Sequence, residues 1–191
     1  MLISTLLGGL LAFAPPADDF TTPPQLAEIW GGQPVEGTEY IEVVHLRVGN
    51  ATCTGTLIAP NLILTAAHCL NANVDPDDIC IMLGESAIAH ACWGSSGDTR
   101  ASGYGVHPKY DAEADEDTWD IGYITTGAFS GIDYPKIITS QSEYDSLVGE
   151  DEKVLLVGYG QDETGEVDGK KRVVETKIKS FIDSAREFLA G

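Results

Sequence analysis

Apolar positions in this chain fall into short runs separated by Gly, Pro, Asn and Asp rather than into long helical stripes. Tyr40 to Val48 (YIEVVHLRV) partly alternates, Cys53 to Ile58 (CTGTLI) is compact, and Leu62 to Thr65 (LILT) is apolar. Pro60-Asn61 separates the last two as a turn, because proline presets φ and asparagine tolerates turn geometry. Further strand-like runs are Ile79–Leu83, Ala101–Val106, Ile121–Thr125, Val154–Val157 and Arg172–Ile178. Many short strands joined by turns predict an all-β chain, a sandwich or a pair of barrels, and periodicity alone does not choose between them. No internal repeat is visible. Residues 139–152 (TSQSEYDSLVGEDE) read as a polar connector between two halves, and Asp111–Asp117 (DAEADED) as a solvated acidic loop. Residues 181–190 place apolar side chains at 181, 182, 185, 188 and 189, which suits a short helix, or a strand from Glu187 if more chain follows.

The ends and the composition add a compartment. Met1–Ala14 is an apolar run of signal-peptide length, too short to span a bilayer, with Ala12-Phe13-Ala14 as a small-x-small cleavage pattern. A buried N-terminal strand or helix is the other reading of that run. Residues 15–28 are rich in Pro, Asp and Thr and read as a linker or short pro-segment. A secreted, periplasmic or extracellular protein with no membrane attachment after signal cleavage is expected. Four cysteines agree with that, as an even number fits two disulfides in an oxidising compartment. Cys53, Cys69, Cys80 and Cys92 lack the close C-x2-4-C spacing of a zinc site, so no metal is expected. The hydrophobic content of 43% permits a packed core. The formal charge of -19 repels phosphate backbones and excludes a nucleic-acid partner, while saying little about fold.

Candidate chemistry centres on Thr65-Ala66-Ala67-His68-Cys69, where small residues let the backbone pack closely while an imidazole projects from a strand end. Cys53-Thr54-Gly55-Thr56-Leu57-Ile58 followed by Thr65-Ala66-Ala67-His68-Cys69 resembles the C-x-G-T-L-I … T-A-A-H-C block of chymotrypsin- and trypsin-like (S1) serine peptidases. Ile29-Trp30-Gly31-Gly32 resembles their I-V-G-G start, and Val106-His107-Pro108 with Tyr110 their V-H-P-x-Y stretch. Trp119-Asp120-Ile121-Gly122 resembles the D-I-A-L-L strand start, and Gly158-Tyr159-Gly160 the G-W-G turn. The matches run in family order across most of the chain.

The resemblance implies a trypsin-like double β-barrel. The first barrel would occupy residues 29–135 and be complete; an incomplete second would occupy 136–191, within one peptidase domain, 29–191. It implies a Cys53–Cys69 disulfide that holds the histidine turn, with Cys80 and Cys92 as the remaining pair. His68 would be the general base and Asp120 the carboxylate that fixes its tautomer; Asp115, Glu116 and Asp117 are the competing acids. His45, His90 and His107 have no comparable context and are assigned structural or exposed places.

The family's G-D-S-G-G serine loop is absent from the 191 residues, as is G-x-S-x-G. Gly94-Ser95-Ser96-Gly97 lies between the histidine and aspartate blocks and reads as a loop. Glu28 before Ile29 does not suit a trypsin-like activator. The expectation is a serine endopeptidase family member that is truncated and inactive as an isolated chain, acting with no cofactor. Its expected partners are a peptide or protein substrate and a missing C-terminal fragment. The alternative is a non-catalytic homologue that keeps the scaffold for binding or regulation.

Overall fold

The computed structural model describes residues 32–70, 74–86, 98–113, 119–149, 151–162, 164–165 and 167–178. The expected leader, the linker, Ile29-Trp30-Gly31, the acidic run at 114–117 and the tail from 179 lie outside the described residues, as do His90, Cys92 and Gly94–Gly97. Nine strands and one α-helix are assigned among the described residues. They are β1 (Gln33–Pro34), β2 (Val43–Val48), β3 (Ala51–Ala59), β4 (Leu62–Thr65), β5 (Ile79–Met82), β6 (Asp98–Val106), β7 (Gly122–Thr126), α1 (Gln141–Leu147), β8 (Lys153–Gly158) and β9 (Arg172–Lys177).

Strands β2 to β7 close into an antiparallel barrel in the order β2-β3-β4-β7-β6-β5. The alternation in the sequence sets its register. Val44, Leu46 and Val48 point inward from β2 and join Leu57, Ile63, Ile79, Ile81, Ala101 and Ile124 in one buried cluster. The β2–β3 turn has only Gly49 and Asn50 between paired Val48 and Ala51. Gly49 takes φ +58°, the left-handed value that primed hairpin turns require at their first position. Pro60-Asn61 forms the expected β3–β4 turn, and its carbonyls accept hydrogen bonds from Phe129 N–H at 2.8 Å and Thr126 N–H at 3.2 Å. The chain leaving β7 is thereby tied to the same rim.

Gly55 is the tightest point of the barrel wall. A Cβ there would lie 2.6 Å from Ile63 Cγ2 and 2.9 Å from Leu46 Cδ1, so only hydrogen fits. The glycine of the CTGTLI segment is thus a packing requirement of two facing core side chains.

A second antiparallel sheet, in the order β1-β9-β8, lies beside the barrel. β8 and β9 pair from Lys153↔Lys177 to Gly158↔Arg172, while β1 pairs with the other edge of β9 at Val173 and Arg172. On the second sheet, Leu155 and Leu156 of β8 are 54% and 48% exposed.

Buried polar contacts join the sheet to the barrel. Tyr159, almost wholly buried, donates its backbone N–H to Thr54 Oγ1 at 3.0 Å and its hydroxyl to the Gly84 carbonyl. Its ring meets the His45 imidazole edge-on at 5.2 Å. The outward face of β2 is therefore covered at His45 by the second sheet, while its inward face fills the barrel. Lys171, also buried, donates to the Tyr40 carbonyl at 2.6 Å, and its backbone N–H donates to the Glu85 carbonyl at 2.8 Å. Burial away from water lowers its amine to about 8.

Residues 139–152, read from sequence as a polar connector, contain α1. Ser140 caps it, accepting from the Glu143 N–H at 3.2 Å. The S-x-x-E spacing of Ser140 and Glu143 is the capping signature that marks such a helix start.

Two outcomes follow from this packing. Gly55→Ala should destabilise the barrel by about 1–3 kcal/mol through overpacking, read as a lower urea midpoint. His45 is the second case. Burial, and secondarily the positive charge of Arg47, lowers its imidazole to about 4, and among the described residues Nδ1 has no hydrogen-bond partner. The folded state therefore favours neutral His45, and the unfolded chain binds the proton first as pH falls below the ordinary value of about 6.5. Stability should drop by about 2 kcal/mol between pH 7 and pH 5 from this group alone. His45→Leu should remove that part of the pH dependence in urea titrations at the two pH values; an unchanged slope would show that His45 is not its source.

Candidate active site

The candidate site is built where β4 ends. Thr65, its last residue, pairs with Gly122 of β7 and donates its hydroxyl to the Thr54 carbonyl at 2.8 Å. Ala67 is fully buried behind the following bend. His68 opens a 3-10 turn, His68–Leu70, whose other two residues are anchored in the barrel core. Leu70 is buried, and Cys69 is bonded to Cys53 with Cα atoms 6.3 Å apart. Two fixed neighbours thus hold the backbone of His68 while its own side chain, 53% exposed, points outward.

Asp120 reaches this histidine from 52 residues away. Its Oδ1 accepts the His68 backbone N–H at 2.8 Å, and its Oδ2 lies 2.7 Å from His68 Nδ1. The carboxylate is 19% exposed, so its two contacts replace much of its water. An ionised carboxylate only accepts, so Nδ1 donates, and in the neutral imidazole this leaves the free lone pair on Nε2. Gly122 permits the close approach: a Cβ there would lie 2.9 Å from Leu70 Cδ1 and 3.2 Å from the Ala66 carbonyl oxygen. The sequence-expected His68 and Asp120 are therefore brought together, with the carboxylate on the ring nitrogen away from solvent.

Beside the pair, a cleft of about 560 Å³ separates the barrel from the second sheet. Its barrel wall includes Thr52, Cys53, His68 and Cys69; its opposite wall includes Leu155, Leu156 and Tyr159. Among the described residues no hydroxyl or thiol hydrogen-bonds to Nε2 of His68. Donor atoms of Cys53, His68 and Cys69 lie within 4.8 Å of one another, but the two sulfurs are bonded together and offer no thiolate to a metal. Cys80 is also disulfide-bonded, and Cys92 lies outside the described residues. Among the described residues no helix is long and apolar enough to cross a membrane.

Two histidines assigned no special context by sequence have definite places. His45 is buried against Tyr159, as described, and His107 stacks on Trp119 with ring centroids 4.4 Å apart and planes 11° from parallel. The packing role of Tyr159 and the burial of Lys171 also emerge only in three dimensions. Lys171 carries no local sequence signal, since a lysine in a polar stretch ordinarily reads as solvated.

A closed antiparallel barrel that abuts a second sheet, with the His–Asp pair at the cleft between them, has the architecture of a trypsin-like serine peptidase. Family comparison agrees: the model described as Trypsin matches residues 29–187, and the chain belongs to the trypsin family. Among curated proteins, chymotrypsin-C of Mus musculus is 38% identical over 80 residues, 39% of this chain and 30% of that protein. Coagulation factor XII of Cavia porcellus is 34% identical over 67 residues, 35% of this chain and 11% of that protein. Mannan-binding lectin serine protease 1 of Mus musculus is 38% identical over 56 residues, 28% of this chain and 8% of that protein. The matched stretches span under a third of the length of each of these relatives.

Because the Cys53–Cys69 bond closes a loop with a sequence separation of 16, its removal in Cys53→Ala/Cys69→Ala should cost about 3 kcal/mol. Urea unfolding of the double variant against the parent checks this; equal midpoints would refute it.

Proposed function

We propose that this chain carries the general-base part of a trypsin-like serine endopeptidase site, with His68 as the base and Asp120 as its orienting carboxylate. The observation that carries this reading is the double contact of Asp120 with the backbone N–H and Nδ1 of His68. It leaves Nε2 as the acceptor that would take a nucleophile's proton and return it to the leaving amine. The 560 Å³ cleft beside His68 offers a place for a peptide or protein substrate.

The pair alone does not complete acyl transfer. A serine oxygen must form the acyl bond, and preorganised backbone donors must hold the oxyanion, ordinarily the largest single contribution to the rate. Neither the G-D-S-G-G loop nor an equivalent is in the 191 residues. We therefore assign no peptide hydrolysis to these 191 residues by themselves. The disulfide-bonded state of Cys53, Cys69 and Cys80 favours an exported protein.

Purified protein incubated with a serine-directed fluorophosphonate should remain unlabelled and leave peptide substrates intact. Labelling at one mapped serine, lost in His68→Ala, would contradict the absence of a nucleophile while supporting His68 as the base.

A further inference from the structure

We propose that Trp119, clamped by His107 and Lys109, is a positioning residue that sets the Asp120 carboxylate on His68. The proposal rests on reading His68 and Asp120 as the general-base pair. Its starting point is a backbone outlier: Trp119 takes φ +62°, a left-handed conformation that a bulky aromatic residue rarely adopts. Such a residue is strained and persists only where its surroundings hold it.

The surroundings are specific. The His107 ring stacks flat on the indole at 4.4 Å, and the Lys109 ammonium lies 4.3 Å from the indole centroid. The two ring partners are fixed to each other, because Lys109 N–H donates to His107 Nδ1 at 3.2 Å. His107 also grips the far side of Asp120: its backbone N–H donates to the Ile121 carbonyl at 2.8 Å. The Ile121 N–H in turn donates to the Trp119 carbonyl at 2.7 Å, closing a tight turn centred on Asp120.

Asp120 is therefore a single residue held between two neighbours that are both attached to His107. The residue before it is fixed through its ring and the one after it through its carbonyl. With both ends of the turn anchored, the carboxylate leaves the backbone in the one direction that meets the two His68 donors. Without the ring stack, the strain at Trp119 loses the offset that His107 supplies; the turn relaxes and Asp120 loses its aim. This also gives the V-H-P-x-Y segment a role: it ends β6 so that His107 lies across from Asp120.

The test reads the imidazole itself. Full-length protein labelled with ¹⁵N-histidine, with His68 assigned by its loss in His68→Gln, should show His68 in the Nδ1–H form at neutral pH. In Trp119→Ala the ratio of Nδ1–H to Nε2–H should fall about tenfold, the scale set by release of the backbone strain. His107→Ala should move the ratio the same way, and His107→Phe, which keeps both a stacking ring and the backbone N–H, should restore it. Trp119→Gly accepts the positive φ without strain but has no ring, and its ratio should lie between those of Trp119→Ala and the parent. A parental ratio in Trp119→Ala, or in His107→Ala, would overturn the proposal. If Trp119→Ala fails to fold by circular dichroism, the contrast between His107→Ala and His107→Phe decides it. If the parent lacks the Nδ1–H form, the general-base reading fails first and the positioning role with it.

Discussion

The pairing of β4 with β7 is the contact on which the candidate site depends. β4 delivers His68 and β7 follows Asp120, and their register places Thr65 opposite Gly122. That register is set in the core, where Ile63 and Ile124 face each other, both fully buried. A slip of β7 by one residue would turn Ile124 out of the barrel and lose its burial, worth about 1.5–3 kcal/mol. The same slip would carry Asp120 away from both His68 donors. Ordinary hydrophobic packing thus fixes the polar pair, and the Cys53–Cys69 bond holds the histidine side of it against β3.

The join between barrel and second sheet follows a different logic. It is made by buried polar groups: His45, whose Nδ1 has no partner among the described residues, Tyr159 under the Gly84 carbonyl, and Lys171 on backbone carbonyls. Burial raises the Tyr159 phenol as it lowers His45 and Lys171, each shift working against the charged form. Such contacts specify how two units meet more than they add net stability, since each buried polar group surrenders its hydration. The cleft beside His68 is bounded by this join, and its shape depends on Tyr159 remaining in place.

The barrel was legible in the sequence because its strands are short apolar runs bounded by turn residues, and every predicted run lies in or overlaps a strand. His68 stood out through TAAHC, and Asp120 through its place before a strand. What sequence concealed are contacts with no local period. The helix at Gln141–Leu147 lies in a polar stretch whose one signal, Ser140 with Glu143, is easily read as loop composition. Lys171 reads as a surface lysine until β9 and the Tyr40 turn enclose it. The stack of His107 on Trp119 joins two segments separated by an acidic loop, and nothing in either segment alone announces it. Local pattern marks elements and motif residues; pairings between distant polar groups appear only once the barrel closes.

The account turns on one hydrogen bond, from His68 Nδ1 to Asp120 Oδ2. The most direct measurement is the downfield proton spectrum of the ¹⁵N-histidine-labelled protein beside that of Asp120→Asn. The account predicts a proton resonance well downfield of the amide envelope, coupled to the Nδ1 nitrogen of His68 and absent in the variant. No such resonance in the parent, or the same resonance in both proteins, would contradict it.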